Sequence, residues 1–180
     1  MYRLFVGLDL PSAIKSQLEK IQSGVEGARW RPIENFHLTL AFLGAADKHQ
    51  YADAIDALAN INALEFDLRL TGTGLFGDRK PKALWAGVEP ARELNLLQEK
   101  VETTLRDVGF ELERRKFMPH VTLAYLKGAT REQAMLYCGD HGLFSTERFP
   151  VTEFHLFSSQ LGKTVSAYTI EASYALSSSR

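Results

Sequence analysis

Residues 37 to 44 read HLTLAFLG, and residues 120 to 127 read HVTLAYLK. The octapeptides agree at the His, the Thr, both Leu positions and the Ala. A chain that writes one phrase twice is constrained to present two equivalent segments, and the apolar content of this phrase makes both of them strands. Side chains in a strand alternate between its two faces, so residues two apart point the same way at a spacing of about 6–7 Å. His37 and Thr39 therefore share one face, while Leu38 and Leu40 take the other. His120 and Thr122 repeat the arrangement. If a pseudo-two-fold axis relates the strands, two imidazoles and two hydroxyls converge on one cleft.

The flanking pattern predicts what carries these strands. Residues 3–10 read as a buried strand, and Ile14, Leu18, Ile21 and Val25 recur at helical spacing after Pro11. Pro32 keeps the segment before the first repeat extended. A second helix is expected over about 47–60, a strand in which Leu64, Phe66, Leu68 and Leu70 alternate with polar residues, and a loop where Gly72, Gly74 and Gly77 cluster. A strand over 83–88 carries Trp85, and a strongly periodic third helix ends at Gly109. A short, weakly patterned helix near 130–137 follows the second repeat. The strands Val151–Ser158 and Val165–Ala175 then read as a hairpin turning at Gly162. This order favours an α+β architecture of mostly antiparallel sheet covered by helices. No linker or change of composition divides the 180 residues, so they are read as a single bilobal domain with one repeat in each lobe.

Composition limits the function classes. The chain is 45% hydrophobic and 24% charged, ordinary proportions that leave no room for a long disordered arm. With 21 Lys and Arg against 22 Asp and Glu, no global positive field gathers nucleic acid from a distance, and any anion must be met locally. The only cysteine, Cys138, excludes an intrachain disulfide or a cysteine zinc cluster and reads as a small packing residue. Without a signal sequence or an apolar span of roughly 20 residues, the expectation is a cytoplasmic protein away from membranes. Nothing in the pattern calls for an obligate protein partner, and a monomer is expected.

Two hydroxyl donors and two imidazoles that titrate near their ordinary pKa of about 6.5 suit a small oxyanion such as phosphate. No metal is expected, because neither repeat carries an Asp or Glu on its His and Thr face. For a phosphodiester, one neutral His takes a proton from attacking water and one protonated His gives a proton to the leaving oxygen.

With these residues and their flanks, the chain resembles the 2H phosphoesterases, named for two His-x-Thr motifs. More narrowly, it resembles their RNA 2′,3′-cyclic phosphodiesterase branch, also called 2′-5′ RNA ligases. The likeness runs through RLFVGLDLP, FHLTLAFLG, ALWAGV, the segment from LQEKVETTL to MPHVTLAYL, and FHLFSSQL followed by Tyr168. The resemblance implies a bilobal fold of two pseudo-symmetric α+β halves with both motifs in a central cleft, and no metal or other cofactor. It implies opening of RNA 2′,3′-cyclic phosphate ends to 2′-phosphates, with weak reverse 2′-5′ joining. On this chain it makes His37 and His120 the catalytic acid and base, in an order it does not specify. It makes Thr39 and Thr122 the phosphate-binding residues. Many relatives in this branch have Arg where this chain has Tyr125, and Lys127, two residues on, is a candidate replacement for its charge.

Arg114, Arg115 and Lys116 precede the second motif and either flank the cleft or form a solvated turn; Arg115 is kept as a substrate-binding candidate. Phe42 and Tyr125 are candidate stacking faces for a base, although core packing is the expectation for Phe42. Trp30, Trp85 and Phe76 read as core. The segment GTGLFGDRKPK, with Gly for mobility and Arg79, Lys80 and Lys82 for charge, is a candidate cover for an RNA end; it is not a P-loop, since the P-loop spacing is absent. His49, His141 and His155 carry no assigned chemistry. Two rivals stand beside the leading function: a cyclic phosphodiesterase for small nucleotides or nucleotide-sugar cyclic phosphates, and a non-catalytic nucleotide or RNA binder.

Overall fold

The computed structural model describes residues 2–160 and 166–178. Two four-stranded antiparallel sheets form its frame. The first contains β1 (Tyr2–Asp9), β3 (His37–Ala46), β9 (Glu153–Gln160) and β10 (Ala167–Ala175), in the order β10-β9-β1-β3. The second contains β2 (Ala28–Trp30), β5 (Leu70–Phe76), β6 (Ala83–Val88) and β7 (His120–Leu126), in the order β2-β7-β6-β5. A small pair of β4 (Phe66–Leu68) and β8 (Phe149–Val151) completes the strands. Each repeat thus occupies one strand of a different sheet.

The sheets are not the two halves of the sequence. β2 comes from the N-terminal part of the chain yet pairs with β7, whereas β9 and β10 return from the C-terminal part to pair with β1 and each other. The helices α1 (Ser12–Glu19), α2 (Lys48–Leu58), α3 (Arg92–Asp107) and α4 (Arg131–Asp140) bury their apolar stripes into one continuous core drawn from both sheets. In α3, the buried Leu94, Leu97, Val101 and Leu105 follow the helical period read in the sequence. Asp47 starts α2 with a capping box, its carboxylate accepting from His49 and Gln50 while the Gln50 side chain accepts from the Asp47 amide. Cys138 is half-buried against the core, as a packing residue should be.

Two expectations need correction. The glycine cluster before residue 77 is not a loop: Gly72 and Gly74 lie in β5, paired with β6, and the turn begins only at Gly77. Gly74 is required for a different reason, because the Trp85 ring lies directly across it and an added Cβ would fall 2.2 Å from that ring. The last hairpin forms from β9 and β10, but its expected turn at Gly162, and Val165, lie outside the described residues.

Both repeat strands carry the same irregularity. On β3, Gly7 pairs with Thr39 and Val6 with Ala41, so Leu40 is an extra residue. On β7, Trp85 pairs with Thr122 and Leu84 with Ala124, so Leu123 is the extra one. Such a bulge reverses the alternation beyond it. Leu40 and Ala41 are both buried, as are Leu123 and Ala124. Phe42 and Tyr125 consequently return to the faces of the His and Thr residues.

Candidate active site

His37 and His120 are each the first residue of their strand, and each is pinned in the same way. The Nδ1 of His37 is 2.7 Å from the carbonyl oxygen of Asn35, and the Nδ1 of His120 is 2.7 Å from that of Met118. A carbonyl only accepts, so each Nδ1 carries the hydrogen and each Nε2 offers its lone pair. The His37 Nε2 lies 3.0 Å from the Thr39 hydroxyl, which donates to it. The expected grouping of His and Thr on one face holds in both strands, with Leu38, Leu40, Val121 and Leu123 buried behind them.

The floor beneath His37 is aromatic. Phe42, Phe5 and Phe157 are direct partners across β3, β1 and β9, forming a row on one side of the sheet. Phe5 and Phe157 stack at 4.8 Å between centroids, and Phe5 meets the His37 ring at 4.8 Å. These two Phe side chains are buried but stand apart from the main core, because they cover the cleft side of the sheet. Tyr168 meets His37 edge-on at 5.1 Å. Gly7 pairs with Thr39, where a Cβ would fall 2.8 Å from the Leu38 carbonyl oxygen. In the other sheet, Phe76 meets His120 edge-on at 4.8 Å and Trp85 lies 6.3 Å away. Phe76 and Trp85 are therefore walls of the site rather than the core residues expected, whereas Trp30 does pack against the core and Tyr137.

The other expectations divide similarly. Phe42 is 58% exposed and Tyr125 49%, so core packing is wrong for Phe42; the bulge is the reason. Arg115 is exposed, pairs with Glu113 at 3.4 Å, and its charge acts on His120. Arg114 and Lys116 are exposed. Lys127 is exposed one residue beyond β7, with its amide donating to the Gly27 carbonyl. His49 is exposed; His141 stacks on Tyr137, and buried His155 meets the Ser173 hydroxyl at 2.9 Å.

Arg31 was missed in the sequence. Just beyond β2, its amide donates to the Leu123 carbonyl of β7, and its Nη2 donates to the Tyr168 hydroxyl at 3.0 Å. The guanidinium carbon is 5.3 Å from the Tyr125 ring centre and 5.7 Å from that of Tyr168. Arg31 is two residues from Arg29, which pairs with Tyr125, so the Arg-Trp-Arg alternation of residues 29–31 is the one sequence signal that points to it.

Electrostatics bind the site together. Burial holds the His37 pKa down to about 4; the Asn35 carbonyl opposes this, and the charges of Arg31 and His120 reinforce it. Burial also lowers the His120 pKa, with the Met118 carbonyl opposing and Arg115 reinforcing. Burial thus favours the neutral form of each imidazole at neutral pH. β3 and β7 contact each other across the two sheets, which brings the charge of His120 within reach of His37. Among the described residues, no three His, Cys, Asp or Glu side chains gather as a metal-holding group, and no helix is long and apolar enough to cross a membrane.

Two antiparallel sheets, each presenting one His-x-Thr strand to a shared cleft, define a 2H phosphoesterase fold. The chain belongs to the LigT-like phosphoesterase family, whose pattern it matches over residues 8–85 and 87–168. It is 30% identical over 181 residues to the Escherichia coli K12 protein named RNA 2′,3′-cyclic phosphodiesterase, covering 97% of this chain and 96% of that one. A Geobacillus stearothermophilus protein of the same name is 34% identical over 127 residues, but the match spans only 40% of that protein. The solved structure of E. coli LigT complexed with 3′-AMP superimposes with a TM-score of 0.81 at 27% identity, covering 97% of this chain and 98% of that one.

Proposed function

We propose that this protein is an RNA 2′,3′-cyclic phosphodiesterase in which His37 and His120 exchange protons with the reacting oxygens. One neutral imidazole takes a proton from water as the water oxygen bonds to phosphorus. The bond from phosphorus to the 3′ oxygen breaks, and the other imidazole, protonated, gives its proton to that oxygen. The products are a 2′-phosphate and a 3′-hydroxyl. With an RNA 5′-hydroxyl taking the place of water as the attacking oxygen, the same proton transfers would open the cyclic phosphate into a 2′-5′ bond, again releasing the 3′-hydroxyl. The observation that carries this reading is the matched pinning of both Nδ1 atoms, which leaves two Nε2 atoms for proton transfer.

In this reading, Thr122 donates to a phosphoryl oxygen, and the Thr39 hydroxyl turns from the His37 Nε2 to donate to another, which frees that Nε2 for the proton. Phe42 and Tyr125 stack on the nucleotides to either side, and Arg115 and Lys127 meet the RNA backbone. The names of the near-full-length relatives support RNA ends as the substrate class. One chain supplies both strands, so the proposed site needs no second subunit.

The test is an RNA ending in a 2′,3′-cyclic phosphate, incubated in excess chelator with the wild type and with His37→Ala and His120→Ala. The expected result is opening to the 2′-phosphate, reduced by roughly 10²–10⁴ in each variant. Exclusive formation of a 3′-phosphate, full activity in either variant, or no opening by the wild type would sink the proposal.

A further inference from the structure

A phosphate brings negative charge into an aromatic-walled cleft where burial disfavours imidazolium, and burying a charge that is not fully compensated is costly. A permanent cation close by would complete the compensation. Lys127 lies past the end of its strand, and Arg115 is turned toward Glu113. Arg31 lies between the strands instead. Its backbone is tied to β7, and its side chain crosses to Tyr168 on β10, the tyrosine that touches His37.

We infer that Arg31 is the phosphate-neutralising residue of this site, held in place between the Tyr125 and Tyr168 rings. The rings favour a cation at the distances seen here and restrict how the guanidinium can turn. Its planar fork carries five N–H donors. One is committed to Tyr168, and among the described residues no carboxylate lies within ion-pair distance of the group. The Gln22 amide fixes the backbone from outside the cleft, donating to the carbonyls of Arg31 and Leu123 at 2.8 and 3.0 Å. Arg31 thus joins the two sheets across the cleft and keeps donors free for a bidentate contact with a phosphoryl group. Its charge already acts on His37, together with His120 and Asp9.

Tyr125 has a specific part in this arrangement. Its ring faces the cleft only because the bulge at Leu123 turns it there, and its face then supports the guanidinium. Tyr168 is a positioning residue, because it acts on phosphate through Arg31.

The inference rests on the proposed phosphate chemistry, but its test does not require turnover. Inorganic phosphate is titrated into the wild type, Arg31→Met, Arg31→Lys and Tyr168→Phe, while the ring signals of His37 and His120 are followed by NMR across pH. Near-UV circular dichroism checks that each variant is folded. Arg31→Met should weaken phosphate binding at least tenfold and raise the His37 pKa by removing a repelling charge. Arg31→Lys should recover part of the affinity and keep the His37 pKa low. Tyr168→Phe should weaken binding a few fold.

Phosphate affinity unchanged in a folded Arg31→Met, affinity lost in Lys127→Met instead, or no phosphate binding by the wild type would each overturn the inference. Arg31-dependent phosphate binding in a protein that opens no cyclic phosphate would retain the inference and remove the proposed activity. Turnover with no dependence of phosphate binding on Arg31 would do the reverse.

Discussion

At the scale of single residues, the two histidines differ from free imidazole in a direction that fixes how activity depends on pH. Each pKa is lowered chiefly by burial, His37 to about 4, so the neutral form persists to lower pH than in solution. The acidic limb of kcat/KM, which requires one neutral imidazole in the free protein, should therefore fall below pH 6.5. The basic limb, which requires the other to be protonated, is drawn downward too, so a bell with an acid-shifted optimum is expected. Bound substrate adds a negative charge that favours imidazolium, so the limbs of kcat should lie at higher pH than those of kcat/KM. Steady-state rates from pH 4 to 9 check this, and a kcat/KM profile centred above pH 7 would contradict it. The four residues proposed for catalysis and phosphate binding are legible in the sequence because the repeat marks them. Phe5 and Phe157 are not, since an apolar strand does not reveal which of its faces lines a cleft, and Arg31 is not, since its place depends on contacts with the distant β7 and Tyr168.

At the scale of elements, one extra residue decides what each repeat displays. Strict alternation places Phe42 on the core face with Leu38 and Leu40, but the bulge at Leu40 turns it outward, with a matching bulge at Leu123 for Tyr125. A bulge is a property of strand pairing, so the sequence of one strand does not announce it. The glycines of β5 misled for a related reason: their need arises from the partner strand, where Trp85 takes the space over Gly74. Phe42→Ala should change stability by no more than about 0.5 kcal/mol, as for an exposed position. It should raise KM for an RNA end about tenfold more than for a mononucleotide cyclic phosphate, because base stacking is lost. Leu40→Ala, two residues earlier and buried, should cost about 2–5 kcal/mol. Denaturant melts and paired kinetics measure both, and a Phe42→Ala loss as large as that of Leu40→Ala would put the aromatic back in the core.

At the scale of the whole molecule, the repeat suggests a chain divisible at its middle, and the sheet topology argues against that. The sequence made the α+β class and most helix positions legible, because α3 above all carries strong local periodicity, whereas α4 is weakly patterned. Which strands share a sheet depends on pairings between distant segments, such as β2 with β7 and β1 with β9, and local pattern carries no record of these. A fragment ending at Pro90 would keep β1 and β3 but lose β9 and β10, and its β2 and β6 would both lack β7. The complementary fragment would hold β7 without β6, and the β9–β10 hairpin without β1. Each would expose apolar residues that the intact chain buries in one shared core, and a hairpin alone is marginal at best in water. Neither fragment should give a cooperative thermal melt or near-UV dichroism alone, while mixing them should restore both signals if they reassociate. A cooperative melt from either fragment by itself would show that the lobes are independent domains. It would also mean that the cleft between His37 and His120 is an interface rather than part of a single fold.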